Sequence, residues 1–287
     1  MNRATAKADF VVTGARSVVG RHLLGLLASS GLSVTAISRS ERPAWVPAEV
    51  NWIAADMRDR TDVLAGCEGV LVHLAKLPLL AETMPSLRHP LRLVAFSTAS
   101  VETKREGAVG EEAALLQEIF MSEETVIEHA RRHGIAATVL RPTMIYDGRF
   151  DANVSRLRGF IKRFRFFPLA GGGQGLRQPV HAADVARFCM VLARRQPHDP
   201  QVLPIAGDEV ITYREMIRRL FVAENLPPRF LPLPMPVAYA GARLAGHLGL
   251  LGSVAPEFVK RTGKDLTVDA SEARKLGFTP RGFQVDD

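Results

Sequence analysis

The sequence predicts an α/β fold, a doubly wound parallel sheet with a small carboxy-terminal α/β lobe. Three observations carry this. Short apolar runs alternate with helical patterns through the first half of the chain, as in parallel strands joined by crossover helices. The first run, Phe10–Val12, ends in Thr13-Gly14 and leads through a tight turn into the helical pattern Val18, Val19, Leu23, Leu24, Leu26, Leu27. After Arg141-Pro142 the alternation gives way to a different pattern, so the division is expected near residue 150, with residues 1–150 as the sheet domain and 151–287 mostly the second lobe. About 176–206 is expected to return to the sheet.

Taken in order, strands are expected at Phe10–Val12, Ser33–Ser38, Val50–Ala54, Gly69–Leu74, Arg92–Ser97 and Ala136–Leu140. The helix after the glycine turn covers Val18–Ser29 and stops at Gly31. Further helices fit Thr61–Ala65, an abbreviated Pro78–Leu87, and a long Glu112–His133 that stops at Gly134. Beyond Pro142, Asn153–Phe164 reads as a basic amphipathic helix and Pro168–Gly175 as a glycine-rich loop. Ala182–Arg195 reads as a helix and Val202–Ala206 as a strand. Thr212 caps a helix over Tyr213–Glu224, and a last helix lies around Ser271–Leu276.

Gly14 permits a sharp turn and a close backbone approach, and Gly20 lets the helix pack tightly on the strand. The free N–H groups at such a helix start suit an anion. Ser17 stands where a three-glycine turn would have its middle glycine. The chain has 287 residues, 47% of them hydrophobic, with a formal charge of +7. Its Lys and Arg are scattered rather than run together, which argues against nucleic acid and for a basic surface around a phosphate-bearing ligand. Cys67 and Cys189 are far apart and lack metal-ligand spacing, as expected of buried thiols in a reducing compartment. The first nine residues have no apolar core, so no signal peptide is expected and the location is expected to be cytoplasmic. The apolar stretch Leu231–Val254 is broken by prolines, glycines, Arg243 and His247, which argues against a membrane span and for a helix lining a pocket or lying on a surface.

Several short motifs share one order and spacing. They are Thr13 to Gly20, Ala55-Asp56-Met57, His73-Leu74-Ala75, Phe96-Ser97-Thr98, Leu140 to Tyr146, Gln178 to Ala186, and Leu276-Gly277-Phe278-Thr279-Pro280. In these the chain resembles the extended or atypical short-chain dehydrogenase/reductase superfamily, in its NAD-dependent epimerase/dehydratase branch. The resemblance implies a Rossmann-type, NAD(P)-binding first domain and a substrate-binding lobe. It places Gly14, Arg16, Ser17, Val18, Val19 and Gly20 around the diphosphate, Asp56 and Met57 beside the adenine, and Leu74, Ala75 and Lys76 along the nicotinamide ribose. Ser97 and Thr98, then Pro142 and Thr143, would meet the nicotinamide end. A nucleotide-sugar substrate would meet Gly172, Gly173, Arg177 and His181. At the end of the second strand, Ser38-Arg39 replaces the carboxylate that binds a ribose 2′-hydroxyl, which favours NADP(H) over NAD(H).

The same resemblance implies a Tyr and, four residues on, a Lys that lowers its pKa so that the phenol passes a proton. Counting back from Gly134 and Arg141-Pro142, Ile119 falls at the Tyr position and Glu123 at the Lys position, and neither can do that work. The Ser/Thr partner is open between Thr98 and Ser100. Lys104 and Tyr146, with His181, are the other groups able to move a proton. His73 at a strand end reads as a satisfied core histidine. The abbreviated fourth helix leaves the superfamily's usual dimer in question. Three functions follow: an epimerase/dehydratase-like oxidoreductase with a substituted proton donor, a binding protein that senses NADP(H) without turnover, and an NADPH-dependent reductase of a quinone or other apolar carbonyl.

Overall fold

The computed structural model describes residues 8–59, 64, 69–86, 92–103, 108–196, 198–240 and 263–285. They form two compact units. The first runs through Pro142 and takes in Ala182–Ile205 and Asp269–Pro280; the second holds Thr143–His181, Ala206–Val268 and the chain from Arg281. The division therefore falls at Pro142, eight residues before the expected boundary, and the last helix, Ser271–Lys275, returns to the first unit.

The first unit opens with β1 (Phe10–Thr13), α1 (Val18–Ala28), β2 (Val34–Ser38), β3 (Asn51–Ala54) and β4 (Val70–His73). It continues with α2 (Leu77–Thr83), β5 (Arg92–Phe96), α3 (Ser100–Thr103), α4 (Gly110–Arg132) and β6 (Ala136–Pro142). The next elements in the chain are β7 (Ile145–Tyr146), α5 (Val154–Phe164), β8 (Phe167–Ala170), β9 (Leu176–Arg177) and β10 (Val180–His181), all of the second unit. The chain then returns to the first unit for α6 (Ala182–Arg194) and β11 (Gln201–Ile205). Among the described residues, seven strands make one parallel sheet in the order β11-β6-β5-β4-β1-β2-β3. The order reverses at β1, which lies between β2 and β4, and ligands of such sheets bind beyond the carboxyl ends of the strands at that point.

The burial follows from the residue types. β1, β4 and most of β2 are apolar and buried, as strands covered on both faces must be. Leu23, Leu24 and Leu27 put the apolar stripe of α1 into the core. On the other side, Leu80, Val126 and Ala130 of α2 and α4 pack with Leu71, Leu93 and Ala137. Near its end, Phe278 lies against Phe188 of α6 with ring centroids 4.8 Å apart.

The second unit adds β12 (Ile211–Thr212), α7 (Tyr213–Ala223) and β13 (Phe230–Leu233), with α8 (Ser271–Lys275) following in the first. Its core gathers Val154, Ile161, Phe167, Leu169, Met216, Ile217, Leu220, Phe221 and Phe283. Thr212 caps α7 as expected, its hydroxyl accepting the Glu215 N–H at 3.1 Å. The expected loop Pro168–Gly175 is instead largely ordered backbone: β8 pairs with β13 through Ala170, and Gly171–Gly173 form a 3-10 turn. The helix expected over Thr61–Ala65 and most of the apolar stretch beyond residue 240 lie outside the described residues, as does Cys67.

Candidate functional site

The turn between β1 and α1 is built from backbone, and its residue types follow from space. Gly14 has a φ of +64°, and a methyl group there would lie 2.5 Å from the Ala75 nitrogen. On Gly20 a methyl would lie 2.4 Å from the Ala15 carbonyl oxygen. The strand ends and the helix thus approach one another as only glycine allows. Ser17 caps α1, its Oγ accepting the Gly20 N–H at 3.1 Å, while the Ser17 N–H donates to the Gly14 carbonyl at 2.9 Å. The Val18 and Val19 N–H groups then have no acceptor within the helix. No acidic residue stands in the first turn to compete for them, and exposed Arg16 adds a positive charge. A diphosphate fits this donor set.

A buried pair braces the cradle. His73 Nε2 lies 3.1 Å from the Lys76 carbonyl, which can only accept, so the proton sits on Nε2. Nδ1 then accepts from the Thr13 hydroxyl at 2.7 Å. Burial lowers the His73 pKa to about 4, so the ring is neutral. This ties β1 to the Leu74–Lys76 segment that Gly14 packs against, and His73 is the satisfied core histidine expected.

The remaining cofactor candidates divide by exposure. Ser38 ends β2 half-buried and Arg39 beside it is exposed. Arg42, close by in sequence, donates to the carbonyls of Val46, Val50 and Pro47 and is a loop clamp. Asp56 is half-buried, and its carboxylate accepts the Arg58 N–H at 3.0 Å. Met57 departs from expectation: its side chain is buried in the core cluster that also holds Ile37 and Leu64. Leu74 and Ala75 are half-buried at the end of β4, and exposed Lys76 opens α2.

At the end of β5, the Ser97 and Ala99 N–H groups donate to Leu140 and Pro142 of β6, at 2.8 and 2.9 Å. Ser97 Oγ is buried with no hydrogen-bond partner among the described residues. An unmet buried hydroxyl costs about 1–3 kcal/mol, which a polar ligand group at this strand end would offset. Thr98 Oγ1 accepts the Ser100 N–H at 3.2 Å and starts α3. Thr98 thus braces the turn that leads into α3, and Ser100, half-buried, occupies the first helical position. Lys104 lies outside the described residues.

α4 contains no tyrosine and no lysine. Glu123, 2% exposed, instead meets Arg141 of β6 through two hydrogen bonds, Nε to Oε1 at 2.9 Å and Nη2 to Oε2 at 2.5 Å. Glu102 of α3 lies 3.8 Å from the same guanidinium. The Glu123 carboxylate raises the Arg141 pKa above its ordinary value. The three residues join α3, α4 and β6. Sequence reasoning missed this pair, although a lone arginine inside the otherwise apolar run Ala136–Pro142 was a visible signal that a buried carboxylate must answer it.

The other candidates belong to the second unit. Thr143 Oγ1 donates to the Gln178 carbonyl at 2.5 Å. Tyr146 is buried in that unit's core; its phenol lies 3.5 Å from the Gly282 carbonyl and accepts the Gln284 N–H at 3.1 Å. His181 packs edge-on against the Tyr146 ring at 5.1 Å. This corrects the expectation for Tyr146: it is a wall residue held by the carboxy-terminal segment. Arg177 also departs from expectation. It is buried, donates to the Leu176 and Lys264 carbonyls at 2.7 Å each, and is pushed below its ordinary pKa by desolvation. Gly172 and Gly173 have φ of +75° and +64°; a methyl on Gly173 would lie 2.6 Å from the Leu169 side chain, so that glycine serves packing. No group of residues among those described could hold a metal ion.

The profile described as "NAD dependent epimerase/dehydratase family" matches residues 10–87, which hold the glycine cradle and its brace. Over that segment, a little over a quarter of the chain, the sequence is similar to that family. A farnesyl-dihydroquinoline-oxide ketoreductase of Stigmatella aurantiaca is 25% identical, with 94% of this chain and 91% of that protein aligned. The alpha subcomplex subunit 9 of mitochondrial NADH dehydrogenase from Arabidopsis thaliana is 32% identical over 108 residues, 37% of this chain. That match spans only 26% of the Arabidopsis protein. Among solved structures, MoeE5 in complex with UDP-glucuronic acid and NAD superposes with a TM-score of 0.70 at 22% identity, covering 96% of this chain and 94% of that one. The NAD complex of Thermus thermophilus UDP-glucose 4-epimerase gives 0.68 at 18%, covering 96% and 95%. At these identities the superpositions establish the Rossmann-type fold.

Proposed function

We propose that the chain is an NAD(P)-dependent oxidoreductase of the epimerase/dehydratase type that works in the cytoplasm without a Tyr/Lys pair and prefers NADP(H). The observation that carries this reading is the Gly14–Gly20 cradle, closed against Leu74–Ala75 and braced by Thr13–His73. Val18 and Val19 N–H groups would hold the diphosphate, with Arg16 beside them. Ser38 and exposed Arg39 would take the ribose 2′-phosphate. A bound nicotinamide supplies or accepts hydride. Ser97 Oγ would orient its amide end, with Thr98 and Pro142 as further contacts.

With no tyrosine or lysine on α4, proton delivery falls to solvent or to Ser100, the half-buried hydroxyl at the start of α3. That suits reduction of a carbonyl better than repeated proton abstraction from a sugar. The Arg177 contacts weaken the case for a nucleotide-sugar diphosphate there, although UDP-sugars are named in the structures of similar fold. A second reading, reduction of an apolar carbonyl, draws support from the near end-to-end alignment with the ketoreductase of Stigmatella. The test is consumption of NADPH in the presence of sugar nucleotides, quinones and apolar ketones. Oxidation with any one of them supports turnover. Cofactor binding with no turnover across the panel would leave a sensor and overturn the enzymatic reading.

A further inference from the structure

We propose that the second unit carries a docking surface for an anionic lipid bilayer, formed where the end of α5 meets the β8–β13 ribbon. Phe164 and Phe166 are 46% and 37% exposed. Their rings share one cluster with Phe160, at centroid distances of 4.6 and 6.2 Å from it and 6.3 Å from each other. The cluster exists because Arg165 ends the helix in a left-handed conformation, φ +58°, which turns the chain sharply between the two phenylalanines.

The ribbon extends this patch. Phe167 pairs with Phe230 and Pro168 with Leu231 in parallel register, and the Phe167 N–H donates to the Arg229 carbonyl at 2.8 Å. Side chains alternate across a strand. Phe167 and Phe230 therefore face the core, while Phe166, Pro168, Arg229 and Leu231 share the outer face. Leu231 is 48% exposed.

The charge carried by the two segments that form the patch has one sign. Segments 152–168 and 225–236 contain Arg156, Arg158, Lys162, Arg163, Arg165 and Arg229, and no Asp or Glu. Glu224 neutralises two of them: it pairs with Arg158 and lies 2.8 Å from Lys162. Arg163 lies over the Phe164 ring at 5.4 Å, and Arg165 and Arg229 are exposed. Exposed phenylalanine and leucine ringed by arginine is the chemistry of a surface that dips into an interface and meets phosphate or carboxylate headgroups. The Phe164 and Phe166 rings offer faces to a base as well as to a bilayer, but Pro168 and Leu231 add aliphatic surface that stacking does not use and an acyl interface covers, which favours the bilayer. No helix among the described residues is long and apolar enough to cross a membrane.

The full chain is sedimented with phosphatidylcholine vesicles, with and without phosphatidylserine. The expected result is binding that requires phosphatidylserine and weakens as salt rises. A Phe164→Ser, Phe166→Ser double variant and an Arg163→Gln, Arg165→Gln double variant should each lose about tenfold in vesicle affinity. Because these side chains are exposed, both should keep the wild-type thermal midpoint and NADPH affinity; Leu231→Ser gives a third probe on the other strand. Cofactor affinity is read separately, so this proposal and the oxidoreductase reading can fail independently. No binding to phosphatidylserine vesicles overturns the proposal. So does equal binding to neutral vesicles, wild-type binding by the Phe variant, a dimer that this variant disrupts, or displacement of vesicles by a single-stranded oligonucleotide.

Discussion

Two places in the first unit meet the same expectation differently. The β1–α1 turn, where a dinucleotide diphosphate is expected, is made from backbone: a left-handed Gly14, a Gly20 without room for a methyl, and helix N–H groups. The α4–β6 contact, where a proton-passing pair would stand, is made from side chains, and there a buried Glu123–Arg141 ion pair stands instead. Binding geometry written into the backbone is retained as long as the fold is. Chemistry written into two side chains can be replaced by a structural contact while the helix and strand stay in place.

Substitutions can break this contrast from either side. Gly14→Ala should have the largest effect. A side chain at φ +64° that also meets the Ala75 nitrogen should cost about 4 kcal/mol of dinucleotide affinity, close to a thousandfold. Titration of the variant reads the loss, with the thermal midpoint recorded alongside. Next, Glu123→Ala should destabilise the fold by about 3 kcal/mol by leaving the Arg141 guanidinium without its main partner. Denaturant unfolding measures this, and combining Glu123→Leu with Arg141→Met should recover most of it. If Glu123 were instead a catalytic acid, Glu123→Gln would abolish turnover while leaving stability nearly intact.

A comparable effect comes from pH. His73 has a folded pKa of about 4, against an ordinary 6.5. Between those values the unfolded chain binds more protons, so this contribution is complete above pH 6.5 and is lost as pH falls toward 4. The loss amounts to about 3 kcal/mol. Unfolding curves across that range should show it, and His73→Gln should flatten the profile. The smallest effect concerns coenzyme choice: Arg39→Ala should weaken NADPH about tenfold and leave NADH unchanged.

The sequence revealed what depends on local geometry. Thr13 to Gly20, the strand runs and the cap at Thr212 were legible because backbone conformation and hydrogen-bond need select those residue types over a few positions. His73 was read correctly because an imidazole at the end of an apolar strand has to be satisfied inside. Partners distant in sequence were not legible. Arg177 and Tyr146 look like site chemistry as residue types, yet their hydrogen bonds go to Lys264 and to Gly282 and Gln284, about a hundred residues away. Met57 follows a polar motif but its side chain turns into the core, which the period of so short a segment cannot show. The glycine run Gly171–Gly173 suggested an open loop, whereas pairing of β8 with β13 orders its start.

The most direct measurement is calorimetric titration of the purified chain with NADPH and then with NADH. The account predicts saturable binding at one site per chain, tighter for NADPH and largely lost in Gly14→Ala. Absence of heat with either coenzyme at roughly millimolar concentration, where a specific site is expected to saturate, would contradict it.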